Sequence, residues 1–415
     1  MAEYLPRVTD TEIDERLGYI GAVLIEGPNA CGKTATATQH ASTVIHLDND
    51  EERARFQLVP DEFLAQTPPV LLDEWQVEPG VWNRVRREVD KRHGKGLFIL
   101  TGSATPKDDV ARHSGAGRFS VLPMRPMSLF ESGHSSGEVS LAALLRGEAQ
   151  PTLRGELDLR GVLTRIVIGG WPDLIGADER TARLWLQDYL SNVVEVDVPA
   201  IDTRRDPEGL RRLLSALARH VAQPVTATEL ARDVGGDAGP IASETLAAYV
   251  KALHRLRLLD DSPAWLPHMR SRTRLRRAPV RYFVDPSLGL AALGAGSQEL
   301  LADPKALGYQ FEALAVRDLR IYAQTQRGRV ESWRDANGKE VDAIVTLDDG
   351  RWGAFEIKLN PSRVDAAAAN LRAFSQCVDE TVHGRSSCLG VITATGPGGR
   401  RADGVDVIPL AALRP

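Results

Sequence analysis

Eight residues near the start of the chain, Gly27-Pro28-Asn29-Ala30-Cys31-Gly32-Lys33-Thr34, have the types and spacing that hold a triphosphate. Two glycines at the ends of a short loop allow a tight turn whose backbone N–H groups converge on phosphate oxygens. A helix following the loop points its positive end at the same anion. Lys33 then neutralises the β/γ-phosphates, and the Thr34 hydroxyl ligates Mg²⁺. Such a metal site needs a second carboxylate. Val70-Leu71-Leu72-Asp73-Glu74, an apolar strand ending in two acids, supplies it, with Asp73 for Mg²⁺ and Glu74 to polarise the attacking water.

Two further elements extend this chemistry. Phe98-Ile99-Leu100-Thr101-Gly102-Ser103 is another apolar strand with small polar residues at its tip, so Thr101 or Ser103 is placed to sense a γ-phosphate. Arg118, after the glycine-rich His113–Gly117, is a candidate arginine finger, and Arg112 is its rival.

A separate constellation lies near the C-terminus. Glu356 and Lys358 are two apart in an apolar strand and share a face. Asp342, on the preceding strand, alternates with Val341, Ala343 and Val345, so all three polar groups can converge. Glu312 lines up with Ala315, Val316 and Leu319 on a helix, where an unpartnered carboxylate is costly. A solvated hairpin face has the same alternation.

The elements that must position these groups fall into a mixed α/β plan. Short β-rich runs alternate with helical ones over the first third, the pattern of a parallel sheet covered by helices. The expected strands are 22–26, 43–47, 70–73 and 97–101. A Pro- and Gly-punctuated stretch and a polar helical region follow, with a turn at Gly169-Gly170-Trp171-Pro172 and a helix over 184–196. Three short helices then precede a ribbon, the order of a winged helix. The first covers 210–221, the second opens on the capping box at Thr226–Glu229, and the third starts at Ser243. A last α/β unit has a helix over 307–322, strands over 341–347, 352–359, 389–393 and 405–408, and a helix over 365–374.

Length and composition bound the function. At 415 residues the chain has room for two to three domains, with ordinary apolar (43%) and charged (26%) fractions, which excludes a wholly disordered chain. No membrane-span pattern and no secretory leader are seen, and three cysteines without zinc-ligand spacing point to a reducing cytoplasm. The net charge of −5 excludes a global basic field. Between Lys251 and Arg281, however, nine cations face only Asp260 and Asp261. Lys251 and Arg255 lie on the third helix and Arg272, Arg274, Arg276 and Arg277 on the expected wing, so DNA is the expected partner, with a protein partner as the alternative.

These motifs together carry a resemblance. Residues 20–130 resemble an AAA-type P-loop ATPase. The whole chain resembles the bacterial and archaeal ATPases with a C-terminal domain of unknown function, on Gly27–Thr34, Leu72-Asp73-Glu74-Trp75-Gln76, Leu100–Ser103, Gly117-Arg118, Arg125–Leu129, Gly169–Pro172, Tyr309–Glu312 and Phe355–Lys358. Asn29 stands where that family usually has a basic residue. The resemblance implies ATP and Mg²⁺ as cofactors and ATP hydrolysis. The C-terminal unit resembles the restriction-endonuclease-like fold, which implies Asp342 and Glu356 as metal ligands, Glu312 assisting, and Lys358 stabilising hydroxide or the phosphorane; active cleavage and a relic that only binds DNA are both open. The expected organisation is a P-loop NTPase domain (1–135), a helical linker (136–205), a winged helix (206–285) and a nuclease-like α/β domain (286–415). A homo-oligomer is expected because Arg118 could complete a neighbour's site.

Overall fold

The computed structural model describes residues 4–102, 113–148, 153–154, 157–201, 206–266, 278–335 and 338–415. Ser103, Arg112 and the arginines from Arg270 to Arg277 lie outside the described residues.

Five parallel strands form the first sheet: β1 (Ala22–Glu26), β2 (Thr43–His46), β3 (Val70–Asp73), β4 (Phe98–Gly102) and β5 (Phe119–Pro123), in the order β2-β3-β4-β1-β5. Residues of β1, β3 and β4 are buried along almost their whole length, as expected for a parallel sheet covered on both faces. The register sets Glu26 beside Gly102 and Pro123, and His46 beside Asp73, so these carboxyl ends share one rim. β5 was not among the expected strands; it is one of the two edge strands, half exposed and ending in a proline that the edge tolerates.

The core under this sheet does not stop at the first domain. Val23, Ile25, Leu71 and Ile99 belong to an apolar cluster that continues through Trp171 and Leu186 to Leu213, Leu217 and Leu253. Trp171 is fully buried, and its indole N–H donates to Ser287 Oγ at 3.0 Å, satisfying the polar edge that burial would otherwise strand. The turn that delivers it needs Gly170, where a Cβ would meet the Met127 carbonyl oxygen at 2.0 Å.

The helix expected over 184–196 begins earlier, at Glu179, because the Asp178 carboxylate accepts from Thr181 N–H and caps it. It runs to Asn192 and widens into a π turn, Val193–Asp197. Three helices follow, Pro207–Arg219, Ala227–Gly235 and Ser243–Arg255, the second opened by the Thr226–Glu229 capping box. Antiparallel bridges then join Leu259 to Phe283 and Ser262 to Val280. Beyond them the chain leaves the ribbon for the last sheet: Ala264 pairs with Ser332, and Trp265 is buried against Trp352 and Phe374.

The last sheet contains β7 (Leu153–Arg154), β8 (Arg329–Arg334), β9 (Glu340–Thr346), β10 (Trp352–Lys358), β11 (Cys388–Thr393), β12 (Pro397–Arg400) and β13 (Asp406–Pro409), ordered β7-β12-β13-β11-β10-β9-β8. The helix Pro304–Gln324 covers one face and Val364–Cys377 the other. The start of the stretch 136–205 joins this unit through two short strands. Its β6 (Val139–Ser140) pairs with β14 (Leu413–Arg414), and its β7 with β12. Among the described residues, no helix is long and apolar enough to cross a membrane.

Candidate functional site

The loop Gly27–Gly32 joins β1 to the helix Lys33–His40, with Ala30 and Gly32 in left-handed backbone (φ 59° and 99°). Gly32 can hold that geometry, which costs a side chain about 1–2 kcal/mol, and it leaves the helix N–H groups facing the loop. The Lys33 ammonium is held over the loop by the Pro28 carbonyl at 2.9 Å. Cys31 is fully buried and turned inward, so only its backbone can meet an anion. Asn29 donates to Asp197 Oδ2 at 3.0 Å, and Tyr189 donates to the Asn29 carbonyl at 3.3 Å, tying the loop to the π turn and to the helix before it.

Thr34 and Asp73 come together: the Thr34 hydroxyl donates to Asp73 Oδ1 at 2.8 Å. The Thr101 hydroxyl also donates to Asp73, and Glu74 N–H donates to Thr101 Oγ1 at 3.3 Å. Thr101 is wholly buried, so it fixes the acid pair rather than facing phosphate. The oxygen donors of Thr34 and Asp73 fit Mg²⁺, a hard cation. Their surroundings add an imidazole: His46 Nδ1 lies 3.1 Å from Asp73 Oδ2. Among the described residues, His46, Asp48 and Asp73 are the group of metal-type side chains whose ligand atoms all lie within 4.8 Å of one another.

Glu74 sits just beyond β3 in left-handed backbone (φ 51°), which turns its side chain out of the strand. Burial pushes its carboxyl above the usual carboxylate range. Lys33 and the Gln76 amide, which donates to it, pull the other way, while Asp73 and Asp48 add to the rise.

Arg118 is not brought to this loop. It immediately precedes β5, at the opposite end of the sheet, and pairs with Asp90 at 2.7 Å.

Sequence reasoning missed several residues around the loop. Arg7 is buried and donates to the Cys31 carbonyl (2.9 Å), the Arg125 carbonyl (2.7 Å) and Glu131 (3.0 Å). Nothing local marks it, since its partners are 24 or more positions away. His46 and Asp48 were findable, because they stand at the carboxyl end of a strand of the same sheet, where ligands of such sheets bind.

The C-terminal groups gather in part. Lys358 Nζ lies 2.9 Å from Asp342 Oδ2 and 2.5 Å from Glu356 Oε2, and Asn370 donates to Glu356 Oε1 at 2.5 Å. Burial and the Asp342 charge push the Glu356 carboxyl up to about 7 despite Lys358. Burial lowers the Lys358 ammonium, but Asp342 and Glu356 outweigh it and hold the group above its usual range. Glu312 has a partner of its own in Tyr282, which donates to Glu312 Oε1 at 2.7 Å. Burial raises the Glu312 carboxyl well above its usual range, and Asp342 adds to the rise. Glu312 and Asp342 line one cavity of about 520 Å³ between the ribbon and the last sheet.

On the third middle helix, Lys251 is exposed and Arg255 half-buried. Within the chain Arg257 pairs with Glu26 and Arg281 with Asp261.

Residues 20–132 match the model of an AAA domain, residues 160–299 a domain of unknown function (DUF8612), and residues 307–413 a second domain of unknown function (DUF4143). No curated protein matches the sequence. Among solved structures, the chain is similar to a Walker-type ATPase of Pyrococcus abyssi at 13% identity and a TM-score of 0.40, over 70% of this chain and 96% of that one. Joined to the loop and acid pair described above, the similarity of residues 20–132 to AAA domains supports ATP binding and hydrolysis by this part of the chain.

Proposed function

We propose that the chain is a Mg²⁺-dependent ATPase whose turnover is coupled to DNA binding or processing. The observation that carries the reading is the 2.8 Å contact between Thr34 and Asp73, with Glu74 next in sequence. The loop N–H groups and Lys33 hold the phosphates, Thr34 and Asp73 hold the metal, and Glu74 orients and deprotonates the attacking water. When bound, Mg²⁺ supplies charge neutralisation at the β- and γ-oxygens.

The middle module supports the DNA half of the reading. Three helices followed by an antiparallel ribbon are the parts of a winged helix, and the third helix carries Lys251 and Arg255. With the arginines Arg272, Arg274, Arg276 and Arg277, these would grip phosphates. The decisive measurement is ATPase rate against duplex, branched and single-stranded DNA and RNA, with Lys33→Ala and Glu74→Gln as controls. DNA-stimulated turnover supports the coupling; a rate unmoved by nucleic acid favours the other reading of this module, a nucleotide-controlled switch that binds a protein.

An ATP-regulated nuclease is a second reading, favoured by the convergence of Asp342, Glu356 and Lys358. Divalent-dependent cutting that is lost in Glu356→Ala and kept in Lys33→Ala identifies it. Arg118 stands too far along the sheet to serve its own loop, so as an arginine finger it acts on a neighbour in a homo-oligomer. Light scattering that shows a fully active monomer rejects that role. The cytoplasm is the proposed compartment.

A further inference from the structure

The phosphate loop rests on two residues from beyond β5. A Cβ on Gly27 would stand 2.3 Å from the Met124 carbonyl oxygen, and Cys31 Sγ lies 3.9 Å from the same oxygen. Met124 N–H donates to the Glu26 carbonyl at 2.7 Å, one residue before the loop opens. The Arg125 carbonyl accepts from Arg7, which also donates to the Cys31 carbonyl. Both ends of the loop are therefore tied to the backbone of Met124 and Arg125.

The Arg125 side chain reaches the rest of the molecule. Its Nε lies 2.6 Å from Asp260 Oδ2, and its guanidinium donates to Gln324 Oε1 at 2.8 Å. Gln324, the last residue of the helix Pro304–Gln324, donates to the Pro123 carbonyl at 2.8 Å. Asp260 also lies 3.4 Å from Arg320 of that helix. Burial by itself raises the Asp260 carboxyl; Arg125 and Arg320 outweigh it and hold the group well below the usual carboxylate range, so it stays charged.

Asp260 belongs to the stretch that leaves the third middle helix, Ser243–Arg255. Three residues before it Arg257, in left-handed backbone (φ 58°), pairs with Glu26. The exit of this helix is thus fastened at two points. One is the residue that precedes Gly27, and the other is the residue that follows Met124.

We propose that Arg125 is a positioning residue of the ATP site which, with the Glu26–Arg257 pair, couples nucleotide in the phosphate loop to the exit of the third middle helix. The inference rests on the ATPase reading above and names how that site is regulated. A loop filled by triphosphate holds Met124 and Arg125 through the contacts at Gly27 and Cys31. Arg125 then orders Asp260, and Glu26 orders Arg257. By linkage, a partner that holds the helix exit tightens ATP binding by the same factor.

Amide hydrogen exchange of the full-length protein, with and without Mg²⁺ and a non-hydrolysable ATP analogue, tests it. Calorimetry with the same analogue reads binding separately. The analogue should slow exchange across 256–262 by about fivefold or more in wild type. Arg125→Lys keeps the charge but not the guanidinium fork, and should abolish the slowing. Arg257→Gln should reduce it about two- to fivefold, as loss of an exposed pair does. The Arg257 side chain is 43% exposed, so this variant folds even if the first does not. Exchanging the charges, Glu26→Lys with Arg257→Glu, should restore the slowing that either change alone removes.

Analogue binding that leaves exchange across 256–262 unmoved overturns the coupling and spares the ATPase reading. Equal slowing in wild type, Arg125→Lys and Arg257→Gln overturns the role given to these residues. Absence of analogue binding overturns the ATPase reading, and the coupling falls with it.

Discussion

Arg7 reaches the phosphate loop from outside the sheet: its guanidinium donates to the Cys31 carbonyl at 2.9 Å while pairing with Glu131 at 3.0 Å. Both partners are nearly solvent-free. Glu131 also accepts from the N–H groups of Val8 and Ser128, so the loop's outer wall hangs on one buried carboxylate.

Removing the guanidinium strands that carboxylate. Arg7→Ala should therefore cost about 3–5 kcal/mol in urea unfolding, as breakage of a buried pair does, and should weaken ATP binding in the material that folds. Burial by itself raises the Glu131 carboxyl; Arg7 and the N–H donors outweigh it and hold it below its ordinary value of 4.5. A lowered carboxylate stabilises the fold above its ordinary value and loses that contribution as pH falls through the folded value. The gap between wild type and Arg7→Ala should accordingly narrow on acidification below 4.5.

Glu74 has the opposite sign. Its raised pKa means that the base form is lost at a pH above the ordinary value of 4.5. ATPase rate should climb with pH through that raised value, and Glu74→Gln should remove this limb. The variant should keep ATP affinity while losing about 10²–10⁴ in turnover. A flat acid limb in wild type would count against Glu74 as the base.

Gly170 has no room for a side chain. A Cβ there would stand 2.0 Å from the Met127 carbonyl oxygen, which is backbone and cannot swing away. Gly170→Ala should lose about 3 kcal/mol in a thermal melt, the upper end of ordinary overpacking. An unchanged melting temperature would show that the turn relaxes freely.

DNA affinity, measured by anisotropy across a salt series, should fall with a log–log slope of about −0.9 per phosphate contacted. Replacing Arg272, Arg274, Arg276 and Arg277 together with alanine should flatten it. Binding that is insensitive to both salt and these substitutions would remove the nucleic-acid reading of the middle module.

Much of the first sheet was legible because buried parallel strands read as unbroken apolar runs: Ala22–Glu26 and Val70–Asp73 stand where the sequence placed them. The loop and acid pair were legible for the same reason, since both sit at the ends of such runs. Phe119–Pro123 escaped because its own residues form no unbroken apolar run and end in proline. The Arg7 contact, the Asn29–Asp197 bond and the Tyr282–Glu312 bond were beyond reach, each joining groups distant in sequence that only tertiary packing brings together. Thr101 shows the limit of position alone. Its place at a strand tip was read correctly, yet its hydroxyl is spent on Asp73.

The pairing of Val139–Ser140 with Leu413–Arg414, and of Leu153–Arg154 with Pro397–Gly398, threads the molecule like a clasp. Segments on either side of the three-helix module fasten to each other, so that module is an insertion held at both ends. A fragment starting at 286 would lack two strand partners, and one ending at 205 would leave them unclasped. Cutting the chain at either boundary would also open the apolar cluster that Leu213, Leu217 and Leu253 share with the first sheet, so the piece best kept whole is the entire chain.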